Sequence, residues 1–88
     1  MKKGTTKSGF KFVIEDGVFD DMELLEALAD VDKGNSAALP DVIVRVLGED
    51  QKKKLYDHLR DQNGRVPVSK VGAELAEIFG AFDETKKS

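Results

Sequence analysis

The stretch from Leu39 to Leu59 constrains the fold of this chain more than any other. Leu39, Val42, Ile43, Val46 and Leu47 recur at i, i+3, i+4, i+7 and i+8, which makes one broad apolar face on a helix, and Gly48 stands where that helix would end. The β-branched residues Val42, Ile43, Val44 and Val46 would also suit a strand. Pro40 decides between the two, because it opens a helix well and would remove a ladder hydrogen bond from a central strand. Beyond Gly48, Glu49 and Asp50 lie at the favourable positive end of a further helix, which is expected to run to Gln62 on a narrow face of Leu55, Tyr56 and Leu59. Lys52, Lys53 and Lys54 point in three directions about 100° apart on such a helix, so they form a solvated surface and not a phosphate clamp.

The segments on either side supply less. Eighty-eight residues fit one domain, which buries only about 60 to 65% of the surface its unfolded chain exposes, so the core is small. Residues 1 to 8 offer nothing to bury and are expected to be a disordered basic arm. Phe10, Phe12 and Ile14 alternate with Lys11, Val13 and Glu15, and Asp16-Gly17 is a favoured hairpin turn before Val18 and Phe19, so a short strand or hairpin is expected at 10 to 19. Asp20 is read as the N-cap of the first helix, with Glu23 as capping-box partner and Phe19 just outside. Leu24, Leu28 and Val31 give that helix its apolar face, and Gly34 stands where a left-handed C-terminal cap is wanted. Asn35 or Ser36 then caps either a short turn or the second helix itself.

At the other end, Asn63-Gly64 closes the third helix, Val66-Pro67-Val68 is extended, and Ser69 caps the last helix. There Val71, Leu75, Ile78 and Phe82 form a core stripe. A second face carries Gly72, Ala76 and Gly80 with Phe79 at its edge, and each interior glycine costs about 1 kcal/mol relative to alanine. Two readings of this face stand open: close packing of a neighbouring helix within the domain, or an apolar groove held for another protein. The fold expected is mainly α, a four-helix domain over 9 to 82 with helices near 20 to 32, 37 to 47, 49 to 62 and 69 to 82, a short N-terminal strand or hairpin, and a disordered tail at 83 to 88. Its core is Phe12, Ile14, Leu24, Leu28, Val31, Leu39, Val42, Ile43, Val46, Leu47, Leu55, Leu59, Val71, Leu75, Ile78 and Phe82.

Several kinds of chemistry find no support. The chain has no cysteine, which excludes disulfides and thiolate metal sites, and its single histidine, His58, leaves no pair for zinc and no obvious triad, so no catalytic, cofactor or metal residues are assigned. Asp61-Gln62-Asn63-Gly64-Arg65-Val66 looks like the middle of an EF-hand loop, but alignment on Gly64 puts Leu59 at the first ligand position and Lys70 where a bidentate glutamate belongs. No phosphate-binding glycine loop is present. The net charge of −3 combines four lysines and no acid in residues 1 to 11 with −7 in the remainder. An acidic body argues against nucleic acid as a partner. The alternative, a small helix-turn-helix-like nucleic-acid-binding protein, would place Ser69 to Phe82 in a groove, and with Lys70, Glu74, Glu77 and Asp83 that helix has the wrong sign. No apolar run approaches a membrane span, and Met1-Lys2-Lys3-Gly4 leads into polar residues, so a cytosolic protein without a membrane partner is expected.

The runs Leu25-Glu26-Ala27-Leu28-Ala29-Asp30, Ala38-Leu39-Pro40, Leu47-Gly48-Glu49-Asp50-Gln51, His58-Leu59-Arg60-Asp61 and Asn63-Gly64-Arg65-Val66-Pro67-Val68, in that order and spacing, resemble the small tail assembly chaperones of long-tailed bacteriophages and prophages of Gram-positive hosts. The resemblance covers about residues 19 to 80. It implies a non-enzymatic helper of virion assembly that binds the tape-measure protein and keeps it soluble in the host cytoplasm until tail-tube subunits polymerise around it, and that is absent from the mature virion. Tape-measure protein is the partner so implied, with the tail-tube protein as a second and self-association compatible. The family carries no catalytic residues over to this chain, and its partner-binding residues are not assigned by motif; the face of Gly72, Ala76, Phe79 and Gly80 is offered from helix periodicity instead.

Overall fold

Leu39–Leu59 forms one element, α2, whose course breaks at Gly48, where φ is 84° and ψ is 166°. That conformation lies in a region L side chains rarely adopt, so the residue that was to end one helix serves as the hinge inside a longer one. The computed structural model describes residues 1–80. They form, in order, strands β1 (Lys2–Thr5) and β2 (Lys11–Ile14), helix α1 (Met22–Asp32), a single 3₁₀ turn at Ser36–Ala38, α2 and helix α3 (Val68–Gly80). The architecture is mainly helical with an N-terminal antiparallel hairpin, and it has three helices where four were expected, the second and third being the two arms of α2.

Helix ends follow local chemistry, sometimes one residue from the expected place. Asp21, not Asp20, caps α1, its Oδ1 accepting from the Glu23 amide at 3.0 Å. With the frame moved by one, Glu23 no longer occupies the capping-box position, and its carboxylate instead accepts from Arg45 at 3.2 Å. Arg45 also donates to Asp41 at 3.0 Å; that hydrogen bond, reinforced by Glu23, holds the guanidinium above its ordinary pKa. The C-terminus of α1 is a Schellman motif: Asn35 N–H donates to Asp30 O at 3.0 Å and Gly34 N–H to Val31 O at 2.9 Å, with Gly34 at φ 100°. α2 ends at Leu59, short of Gln62, and α3 begins at Val68, where the Pro67 carbonyl accepts from Lys70 and Val71, so Ser69 is inside the helix and is not its cap.

The hairpin departs most from expectation. Residues 2 to 5, expected to be disordered, are strand β1, paired in the register Lys2↔Ile14, Lys3↔Val13, Gly4↔Phe12 and Thr5↔Lys11. Asp16-Gly17 does turn the chain, but into α1 and not into a second strand. Two features make β1 possible. Thr6 to Phe10 is a three-residue loop in which Gly9 N–H donates to Thr6 O at 2.9 Å and Thr6 N–H to Phe10 O at 2.9 Å, with Gly9 at φ 97°. Across the sheet, a Cβ on Gly4 would stand 2.6 Å from Phe12 Cζ, so the glycine is the space in which that ring lies. The opposite edge, on β2, is closed by a side chain: Val13 N–H donates to Gln51 Oε1 at 2.7 Å and Gln51 Nε2 donates to Val13 O at 2.6 Å.

All three remaining parts pack on α2, and the core is shared among them: Phe10, Phe12 and Ile14 from the hairpin, Leu24 and Ala27 from α1, Val42, Ile43, Val46, Leu47, Leu55 and Leu59 from α2, and Val71, Leu75 and Ile78 from α3. Phe10 and Ala27 join the expected set, while Leu28, Val31 and Leu39 are only half-buried and Phe82 lies outside the described residues. Gly4→Ala is expected to destabilise the domain by about 1 to 3 kcal/mol through overpacking against Phe12, read by urea denaturation with the largest loss of amide protection in residues 2 to 14. Val46→Asp, at a site 3% exposed, is expected to leave the chain unfolded in the same assay, since an unpaired buried charge costs several kcal/mol.

Candidate partner-binding groove

Helices α1 and α3 each lie against α2 and make little contact with one another. The space between them is a groove of about 230 Å³, floored by Leu39 and Val42 of α2 and walled by Leu28 and Val31 of α1 on one side and Gly72, Leu75, Ala76 and Phe79 of α3 on the other. Its lining is almost wholly apolar. Of the four residues proposed from periodicity, Gly72, Ala76 and Phe79 line this groove, and Gly80 sits one turn on, on the exposed side of the same helix.

The two readings of the α3 glycines can now be separated. A Cβ built at Gly72 or at Gly80 meets no atom within 4 Å, so among the described residues neither glycine makes room for a neighbouring helix. Phe79 is half-buried and stands edge-on to Phe19, ring centroids 5.8 Å apart at 82°, while Phe19 keeps 42% of its surface exposed. Leu25 at 58% and Met22 at 67% exposure extend apolar surface along the outside of α1. Three of the four residues taken from helix periodicity thus lie on the α3 wall, while the opposite wall and the floor carry the same periodicity as core and give no such signal in the sequence. A second apolar recess of about 220 Å³ lies on the other side of Leu39, between Pro40, Ile43, Tyr56 and Val68.

Polar chemistry gathers at the hairpin tip. Ser8 Oγ donates to Glu74 Oε2 at 2.8 Å, His58 Nε2 lies 3.0 Å from the same hydroxyl and 3.1 Å from the Ser8 carbonyl, and Lys7 N–H donates to Glu77 Oε2 at 2.6 Å. Serine, histidine and glutamate thus meet, but the carboxylate bonds the serine and not the imidazole, so nothing in the set orients the histidine as a base. It is a latch that ties the tip to α2 and α3. Glu74 is buried to 7% exposure with Oε1 unpartnered, a cost the latch carries.

Asp61-Gln62-Asn63-Gly64-Arg65 closes the same kind of loop as Thr6 to Phe10. Gly64 N–H donates to Asp61 O, Asp61 N–H to Arg65 O at 2.8 Å, and Asp61 Oδ1 accepts from the Asn63 and Arg65 amides at 2.9 and 3.0 Å. The acidic residue that suggested an EF-hand is therefore engaged with its own backbone. Among the described residues no three histidine or acidic side chains are grouped to hold a metal, and no helix is long and apolar enough to cross a membrane. No family model matches the chain, and neither curated proteins nor solved structures yield a match.

Amide chemical shifts of residues 59 to 70 are expected to be identical in excess chelator and in millimolar calcium. Asp61→Ala is expected to destabilise by about 1 kcal/mol, measured by urea denaturation, through loss of the two amide hydrogen bonds at its carboxylate.

Proposed function

We propose that this chain is a non-enzymatic phage tail assembly chaperone that holds a tape-measure protein soluble in the host cytoplasm until tail-tube polymerisation, and that leaves before the virion is mature. The resemblance in residues 19 to 80 names the partner. The observation that supports a binding role is the groove between α1 and α3, an apolar surface with Gly72 in its wall, where an added Cβ would meet open space. An amphipathic helix laid in such a groove buries its apolar face, and the small residues Gly72 and Ala76 on one wall let its backbone come close. The tape-measure protein, long and helical in that family, would present many such faces in turn.

Glycine at position 72 forgoes helix stability for this purpose. In the isolated domain Gly72→Ala is expected to raise stability by up to about 1 kcal/mol, because the added methyl enters open space and favours the helix. Co-expression with any long helical protein found in the reading frames next to this one is the functional test: that neighbour is expected to become soluble and to co-purify. Ala76→Glu, at an exposed position of the groove wall, is expected to abolish that rescue while the domain keeps its native circular dichroism. A neighbour left insoluble and unbound by the wild type would refute the function, and an Ala76→Glu variant that rescues as well as the wild type would refute the site.

A further inference from the structure

We propose that the outer face of the hairpin docks onto the outer face of α1 of a second copy, so that the protein self-associates head to tail. The strand register puts Lys3, Thr5, Lys11 and Val13 on the sheet face opposite the buried Phe12 and Ile14. These side chains border a shallow trough of about 360 Å³ on the hairpin. The trough is preformed: Gln51 closes the β2 edge, Phe12 fills the space above Gly4, and the tip is latched to Glu74 and Glu77. Little ordering entropy remains to be lost on binding.

Charge complementarity selects the occupant. Residues 1 to 11 hold four lysines and no acid, whereas residues 20 to 32 hold six acids and no base. Within one molecule Arg45 draws on Asp21 and Glu23. Glu26 and Asp30 are exposed one turn apart on the same side of α1, with exposed Met22, Leu25 and Ala29 beside them. A helix with apolar surface flanked by carboxylates thus meets a sheet face with Val13 flanked by ammonium groups. A polyanion would meet the same lysines but also a body of charge −7. The two faces differ, so the contact is heterologous: each copy keeps one face open for the next and the assembly grows with concentration.

Sedimentation velocity tests this directly. The wild-type mass is expected to rise above the monomer with concentration at low salt and to return to it at high salt. The Lys3→Glu/Lys11→Glu and Glu26→Lys/Asp30→Lys variants are each expected to self-associate at least about tenfold more weakly, with unchanged amide protection in α2. Mixed in equal amounts they place reversed faces against each other and native against native. Both pairings are complementary in charge, so the mixture is expected to regain concentration-dependent association beyond a dimer, and the chain carrying all four changes to associate like the wild type. Monomeric wild type at every concentration in low salt, one-sided variants that assemble normally, or a mixture that stays monomeric would each overturn the proposal. So would hairpin-dependent binding of mixed DNA and RNA without self-association.

Discussion

The bend at Gly48 is the constraint on which the other contacts depend. A straight helix of the length of α2 would run about 30 Å, longer than either short dimension of the molecule, 27 and 23 Å, and would offer its stripe along a single line. With one residue at φ 84° the chain changes direction, and its two arms bring Val42, Ile43, Val46 and Leu47 and then Leu55 and Leu59 to one core. Ile43 and Leu55, one from each arm, are both fully enclosed. The hairpin, α1 and α3 are short elements that could not fold alone; each is ordered by lying on this bent support.

The hairpin shows how few contacts can fix a polar strand. Lys2-Lys3-Gly4-Thr5 has no hydrophobic payload of its own, yet it is held by ladder bonds to β2, by the ring of Phe12 lying against Gly4, and by a tip latched to His58, Glu74 and Glu77. Gln51 supplies from α2 the donor and acceptor that a third strand would supply at Val13. Isolated two-stranded sheets are marginal, and this one is ordered by side chains of the helices to which it is joined.

What could be read from the sequence follows from the range of the interactions. Helix periodicity and caps are local, so Gly34, the stripe of α2 and the face of α3 stood where reasoning put them. Asp20 and Asp21 differ by one residue in equivalent chemistry, and only tertiary packing, with Arg45 drawing Glu23 toward α2, favours the second. β1 was illegible because its determinant is a residue pair, Gly4 and Phe12, that no window along the chain brings together. Its loop was legible in principle: Thr6-Lys7-Ser8-Gly9 closes as Asp61-Gln62-Asn63-Gly64 does, and the second was recognised as a turn because Asn-Gly is the stronger signal. In the groove, periodicity separated the two faces of α3 correctly and gave no depth: Leu28, Val31 and Leu39 look like core from their spacing and are half-buried in fact.

That partial burial bears on why the groove exists. A small domain has little apolar surface to spare, and Leu28, Val31, Leu39 and Phe79 are all left partly in water in a groove whose one glycine, Gly72, has open space next to it. A larger residue at position 72 would cover those side chains and would also favour the helix over glycine, whereas Ala76 is already the best helix former, so helix stability gives a reason for the alanine and none for the glycine. The glycines at 4 and 48 offer the contrast: one makes room for a ring, the other adopts a backbone conformation that other residues resist. Gly72 does neither, since its φ is not positive and its surroundings are empty. A glycine that serves neither backbone geometry nor internal packing, set in the wall of an apolar groove, is what the proposed docking of an outside helix would use, since it leaves that wall low enough for a close backbone approach.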